Sequence, residues 1–330
     1  MTHRSLILSL ALTVMAGAAH AQVLKDPQWQ AWLDNGRTLE LTQAAQARLS
    51  AQPEDAQAAV ALALAAVDEG QPARLDAVLK PVQACVDRQP AQAACFYALG
   101  TVQGVQAMSG GMMAGVRLAG KVKDNLSRAV ELDPMLFEAR QALSQFYLIA
   151  PGIAGGSVSK AKELAAAAQA RQPEHAKVLR AQIALQDKQW AEAERELQGL
   201  RPGDDKSLAI EARQTSAQLG TGYFSDKQYP KARGVFEQLV RDAPAQAIGP
   251  YGLARVMTET GQPDEAVRLL ERARALEGAD RLPIDHRLGI ALLAKGDKPA
   301  AKLALERFVV SKKPNPRNLE DAKKRLAELS

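Results

Sequence analysis

Apolar and small residues recur along this chain in one motif: a small residue, three others, a larger apolar residue, two others, then a third apolar or small residue. It stands at Ala161, Ala165 and Ala168; at Ala193, Leu197 and Leu200; at Ala232, Phe236 and Leu239; at Ala266, Leu270 and Ala273; and at Ala301, Leu305 and Phe308. Offsets of four and seven put all three members on one helical face. Successive first members lie 32, 39, 34 and 35 residues apart, a period close to 34. A second pattern precedes the anchors by about half a period: Leu99-Gly100, Leu143-Ser144 with Tyr147, Leu219-Gly220 with Tyr223, Leu253-Ala254 and Leu288-Gly289. A Leu followed by a tiny residue lets two helices approach closely, so each period predicts one helix, a tight turn and an antiparallel helix.

The turn residues give the same register independently. Pro230, Pro263 and Pro299 open second helices, where the missing N–H is harmless and the fixed φ is already helical. Gly261 and Gly296 stand where a first helix ends in a left-handed cap, and Asp133-Pro134 and Ala243-Pro244 stop second helices. In chain order, Asp26-Pro27 caps a helix carrying Trp29, Trp32 and Leu33, and Thr38–Ala51 is its partner; 56–68 and 72–88 follow, with a kink expected at Pro81. Further hairpins are expected over 91–134, 137–173, 174–205, 207–244, 247–278 and 283–311, and Asn315-Pro316 leads into a charged helix over 317–329.

Two hairpins are longer than the period requires. About ten extra residues surround Gly110, Gly111, Met112 and Met113 in the stretch 109–115, and about five fall in 151–157, with Pro151, Gly152, Gly155, Gly156 and Ser157. Both insertions fall between a first and a second helix, so they are expected as neighbouring glycine-rich turns on one rim. The domain organisation expected is a leader, 1–21; atypical N-terminal hairpins, 22–90; repeats, 91–313; and a capping helix, 314–330.

The pattern W-x2-L-G-x2-Y, A-x3-F and Pro of the tetratricopeptide repeat (TPR) is met by Leu219, Gly220, Tyr223, Ala232, Phe236 and Pro244. Over residues 91–310 the chain resembles that family. The resemblance implies an all-α fold, a TPR-like α-α superhelix: a right-handed solenoid of antiparallel helix pairs, whose first helices line a concave groove for a peptide or a partner's helix. By register, the groove positions are Tyr97, Thr101, Gln141, Gln145, Gln214, Thr221, Tyr251, Arg255, Glu259 and His286. The stretch FYLIAPGIAGG, 146–156, is also similar to an F-Y-x2-A-P-G-I-x-G-G segment shared by a group of exported bacterial TPR proteins, a likeness that supplies no activity.

Composition narrows the class. Aromatics make up only 4% of the residues, while strong helix formers dominate, which favours an elongated all-helical array. His3-Arg4, the apolar run Leu6–Ala16 and Ala19-His20-Ala21 read as a secretory leader cleaved before Gln22, implying export, to the periplasm in a bacterial host. Losing Arg4 lowers the formal charge from +5 to +4, and the basic residues are scattered beyond the short runs Lys312-Lys313 and Lys323-Lys324-Arg325, so nucleic acid is not an expected partner. No later stretch is long and apolar enough for stable membrane insertion.

Few residues offer chemistry. Cys85 and Cys95 lie ten apart about the Gln89-Pro90 turn, as a disulfide stapling two antiparallel helices would in an oxidising compartment. Beyond the leader only His175 and His286 remain, neither at metal-ligand spacing from a Cys, and no cofactor is expected. Ser157-Val158-Ser159-Lys160 spells the S-x-x-K of penicillin-recognising enzymes, but the Ser-Asp-Asn and Lys-Thr-Gly partners are absent, and a helix N-cap explains the same letters. Gly155-Gly156-Ser157 before a helix reads as a turn rather than an anion site, because no phosphate-loop pattern accompanies it. Met108, Met112 and Met113 read as gap-filling core, the alternative being an adaptable surface for a partner. A non-enzymatic scaffold for a protein or peptide partner in the cell envelope is therefore expected, with a small-ligand-binding accessory protein using the two-loop rim as the alternative.

Overall fold

The computed structural model describes residues 23–311 and 315–329; the expected leader and the Lys312-Lys313 pair lie outside them. Among these residues there are seventeen α-helices and no strand. They are α1 (Pro27–Asp34), α2 (Thr38–Ala51), α3 (Ala56–Glu69), α4 (Pro72–Arg88), α5 (Ala93–Ser109), α6 (Gly111–Leu132), α7 (Phe137–Ile149), α8 (Val158–Ala168) and α9 (Pro173–Gln186). The series continues with α10 (Trp190–Gln198), α11 (Lys206–Ser225), α12 (Tyr229–Asp242), α13 (Ile248–Glu259), α14 (Pro263–Arg274), α15 (Ile284–Lys295), α16 (Lys298–Val309) and α17 (Pro316–Glu328). Two compact units divide the chain: one runs to Ser109 and adds Asp124–Arg140, the other joins Gly110–Lys123 to Gln141 onward.

In the first unit the Asp26 carboxylate caps α1, accepting from the N–H groups of Gln28 and Trp29. Trp29 is buried, with the Arg48 guanidinium 4.6 Å above its ring. Helices α2, α3, α4 and α5 pack in succession around an alanine-rich core, and α4 runs through Pro81. Cys85 of α4 and Cys95 of α5 form the expected disulfide, with Cα atoms 5.7 Å apart.

In the second unit, second helices pack on their own first helix and on the next, while α9, α11, α13 and α15 touch one another along one row. The anchor residues are its core: Ala161, Ala193, Ala232, Ala266 and Ala301 are fully buried, as are Phe236, Leu270 and Leu305. Phe236 shows why the small residues matter. A Cβ on Gly252 would stand 2.1 Å from its ring, and a Cβ side chain grown from Gly220 would approach within 2.7 Å. The same meeting recurs at Gly289, 2.6 Å from Leu305, and in the first unit at Gly100, 2.9 Å from Leu126. At the end of the chain α17 lies on α16 and buries Ala322 against Leu305 and Phe308.

The turns share one device. A residue with left-handed φ closes the hairpins at Gly36, Gly70, Gly261 and Gly296, and at two others the position is held by Lys188 (φ 55°) and Lys227 (φ 57°). The expected extended turn over 109–115 is not formed: Gly110 alone separates α5 from α6, and residues 111–115 are the first turns of α6. The inserted residues lengthen the helices to 17 and 22 residues instead, with a break only at Gly110 and a left-handed Gly111, because helical turns pair most of the backbone groups that a loop would expose.

Two stability measurements follow. Gly252→Ala should lower stability by about 1–3 kcal/mol, since the rigid Phe236 ring has nowhere to move, despite the better helix propensity of Ala. Lys227→Gly should raise it by about 1 kcal/mol by relieving the left-handed strain. Urea titrations of both variants against the parent check the two signs.

Candidate functional site

The first-helix row of the second unit carries its most unusual polar chemistry. On α13, Tyr251, Arg255 and Glu259 stand four residues apart on one face. Arg255 lies with its guanidinium 4.4 Å from the centre of the Phe224 ring of α11, and charge interactions reach it from Tyr251, Glu259 and Arg287 of α15. Burial is the largest influence and pushes Arg255 below the ordinary arginine value; Tyr251 and Glu259 oppose that, and Arg287 adds to it. Arginine nonetheless stays charged at any physiological pH. The Nε atoms of Arg255 and Arg287 are buried with no hydrogen-bond partner among the described residues. On α11, burial likewise lowers Arg213, with Glu277 pulling the other way. Three half-buried arginines thus stand on successive first helices.

Further along the unit, Gln141 of α7 is buried and donates from Nε2 to the Glu211 carboxylate of α11. Burial raises the Glu211 pKa above its ordinary 4.5, and the Gln141 hydrogen bond only partly offsets this.

The groove positions expected from register are therefore only partly assembled. Tyr251, Arg255 and Glu259 come together. Gln145 and Gln214 are exposed and Thr221 is half-buried. In the first unit Tyr97 and Thr101 are half-buried, and the Thr101 hydroxyl donates to the Tyr97 carbonyl at 2.7 Å, inside its own helix. His286 does not join the set. It is buried at 3% exposure, its Nε2 sits 2.7 Å from Asp321 of α17, and its ring lies 5.1 Å from that of Phe308. Burial lowers the His286 pKa, against the Asp321 hydrogen bond, which raises it. Arg287, one residue on, takes the place that register gave to His286. Arg287, Arg213 and Glu211 are the residues that sequence reasoning missed.

The 151–157 loop is a closed structure. A 3-10 turn over Gly152–Ala154 leads to Gly155 at φ 97°. The N–H groups of Ala154, Gly155 and Gly156 donate to Pro151, Gly152 and Pro151 carbonyls, and that of Ser157 to Tyr147, at 2.8–3.1 Å. The Gly155, Gly156 and Ser157 N–H groups, the three that a glycine-rich anion cradle before α8 would use, are all engaged inside the loop. Gly156 is obligatory, because a Cβ there would stand 1.8 Å from the Ala150 carbonyl oxygen. The Ser157 hydroxyl caps α8 by accepting from the Lys160 N–H, and the Lys160 amine lies 5.6 Å from the centre of the Tyr147 ring. Met108, Met112 and Met113 are exposed, not core. Among the described residues no three His, Cys, Asp or Glu side chains cluster as a metal site, and no helix is long and apolar enough to cross a membrane.

A family model described as tetratricopeptide repeat matches residues 223–283, from the end of α11 to the start of α15. No curated protein matches the sequence. Among solved structures the chain is similar to yeast Tom70 at 14% identity, covering 94% of this chain and 65% of that one with a TM-score of 0.64. It is similar to the human IFIT1 of a dimer with m7Gppp-AAAA at 16% identity, covering 89% and 59% with a TM-score of 0.52. A tetratricopeptide repeat protein from Parabacteroides merdae ATCC 43184 aligns at 18% identity over 88% and 98%, with a TM-score of 0.47. At these identities the likeness concerns the fold alone: an all-α stack of antiparallel helix pairs of the TPR kind.

The buried carboxylate gives a prediction with a definite sign. Folding raises the Glu211 pKa, so its ionised form opposes folding; that cost is absent below 4.5 and grows as pH rises through the folded value. Glu211→Gln, which keeps a hydrogen bond to Gln141, should raise the melting temperature at pH 7 by about 2 °C, and the gain should shrink toward pH 4. Thermal scans of both proteins across that range check it.

Proposed function

We propose that the chain is a non-enzymatic adaptor whose second unit receives, on its first-helix row, a segment of a partner protein bearing acidic side chains or a terminal carboxylate. The observation that carries this is the pair Arg255 and Arg287, whose buried Nε atoms lack partners, with the Arg255 guanidinium over the Phe224 ring. Buried donors without partners are costly, and a carboxylate satisfies a guanidinium by paired hydrogen bonds. A stack of TPR type supports a protein or peptide partner in general terms.

The reading includes export to the periplasm through the leader ending at Ala19-His20-Ala21, and an envelope partner. The Cys85–Cys95 disulfide supports an oxidising compartment. The F-Y-x2-A-P-G-I-x-G-G segment is consistent with the exported group that the sequence resembles. The small-ligand alternative has less support, since its rim of two extended turns is reduced to one closed loop.

An immobilised set of short peptides, acidic or with a free C-terminal carboxylate against amidated and neutral controls, tests the reading. Binding should favour the anionic members, and Arg255→Ala should weaken it by about ten- to a hundredfold, the cost of losing a hydrogen bond to a charged group. Equal binding of the anionic and neutral members, or no effect of Arg255→Ala on a peptide that does bind, would sink it.

A further inference from the structure

A second surface of the same unit is apolar, projecting and cationic. Along α6 the face that packs at Ala119 continues bare toward the N-terminus through Val116 and Met112, the latter 86% exposed, with Met113, 84% exposed, next to it. Met112, Val116 and Lys123 share that face, at offsets of four and seven. The stem of Lys123 lies against the 151–157 loop, its Cδ 3.7 Å from where a Gly155 Cβ would stand. Ile149 at the end of α7 and Ile153 at the tip of that loop, 92% exposed, therefore belong to the same side of the unit.

The charges on the two segments that carry this apolar set are of one sign up to the acids that bound them, Asp124 and Glu163. No Asp or Glu occurs between Asp87 and Asp124, nor between Glu138 and Glu163, so both contributing segments are free of acids. Arg117, one turn from Met113, and Lys160 and Lys162 at the start of α8 are exposed on these same segments. Of the two bounding acids, Glu163 accepts from the Ser159 hydroxyl at 3.3 Å.

Shape decides between occupants. Side chains exposed by more than four-fifths project from the surface rather than line a groove, whereas a peptide or a folded partner needs a matching concavity. A fluid bilayer surface accepts projecting apolar groups without one, and its anionic headgroups suit the flanking cations. We propose that this apex docks the protein peripherally on an anionic lipid bilayer. Met112, Met113 and Ile153 enter the interfacial layer, and Arg117, Lys160 and Lys162 meet headgroup phosphates. Such a surface would leave the arginine row on the first helices for the protein partner, so the two sites serve different ligands.

Co-sedimentation of the full chain with vesicles of phosphatidylethanolamine and about 30 mol% phosphatidylglycerol, against pure phosphatidylcholine, tests this. Binding to the anionic vesicles should exceed that to the neutral ones by about tenfold and weaken between ~0.1 and ~0.5 M salt. The triple variant Met112→Ser, Met113→Ser, Ile153→Ser should lose about tenfold with unchanged helical circular dichroism, since all three side chains are exposed. The apolar run of the leader is common to both proteins and cancels in the comparison. Arg117→Glu with Lys162→Glu should abolish the anionic preference. Equal sedimentation of parent and triple variant, or equal binding to both vesicle types, overturns the proposal. So does a parent that ignores vesicles but self-associates in velocity sedimentation and loses this in the triple variant, which would assign the apex to a second copy of the chain.

Discussion

Everything in this fold depends on one steric arrangement: a residue with little or no side chain on a first helix, facing a large apolar one on a second helix. Phe236 is the clearest case, held between Gly220 of its own hairpin and Gly252 of the next. The ring therefore joins two repeats at once, and its burial is shared by the intrahairpin and interhairpin contacts. Because each such contact involves only neighbours, stability accumulates repeat by repeat rather than from one central core.

That local character explains why so much was legible in the sequence. The spacing Ala232, Phe236, Leu239 encodes a buried stripe, Leu219-Gly220 encodes its close partner, and Pro230 and Pro263 encode the starts of second helices; the matching helices stand where these residues put them. The Cys85–Cys95 bridge was legible for the same reason, since a short antiparallel turn brings both residues together whatever the rest of the chain does.

What the sequence hid is rotation and continuity. A period of 3.6 residues fixes which residues share a face but not, to within one residue, which way a helix near the end of a stack turns. Thus His286 faces α17 while Arg287 interacts with Arg255. The glycines at 110–115 suggested a loop, yet the break is confined to Gly110 and to Gly111, which takes a left-handed φ of 74°, and beyond it a helix tolerates glycine where nothing presses against it, as at Gly120. The methionines beside them looked like core because they are apolar, and only the structure shows that the unit stops short of covering them. Glu211 and Arg213 gave no signal at all, since an isolated charge in a helical pattern reads as solvated surface.

The covalent bond between α4 and α5 changes how the first unit comes apart. A stack built from nearest-neighbour contacts opens from its ends, each detached hairpin leaving the next as a new end. With Cys85 and Cys95 joined, α1 to α4 detach from α5 only as a tethered flap whose attachment points stay 5.7 Å apart at the Cα atoms. Recapture is intramolecular in any case through residues 89–92, and the bridge adds a second tether that keeps the facing ends of α4 and α5 from parting. The bridge thus acts less as a brace on the native state than as a ratchet against progressive fraying, and it does so only where thiols are kept oxidised.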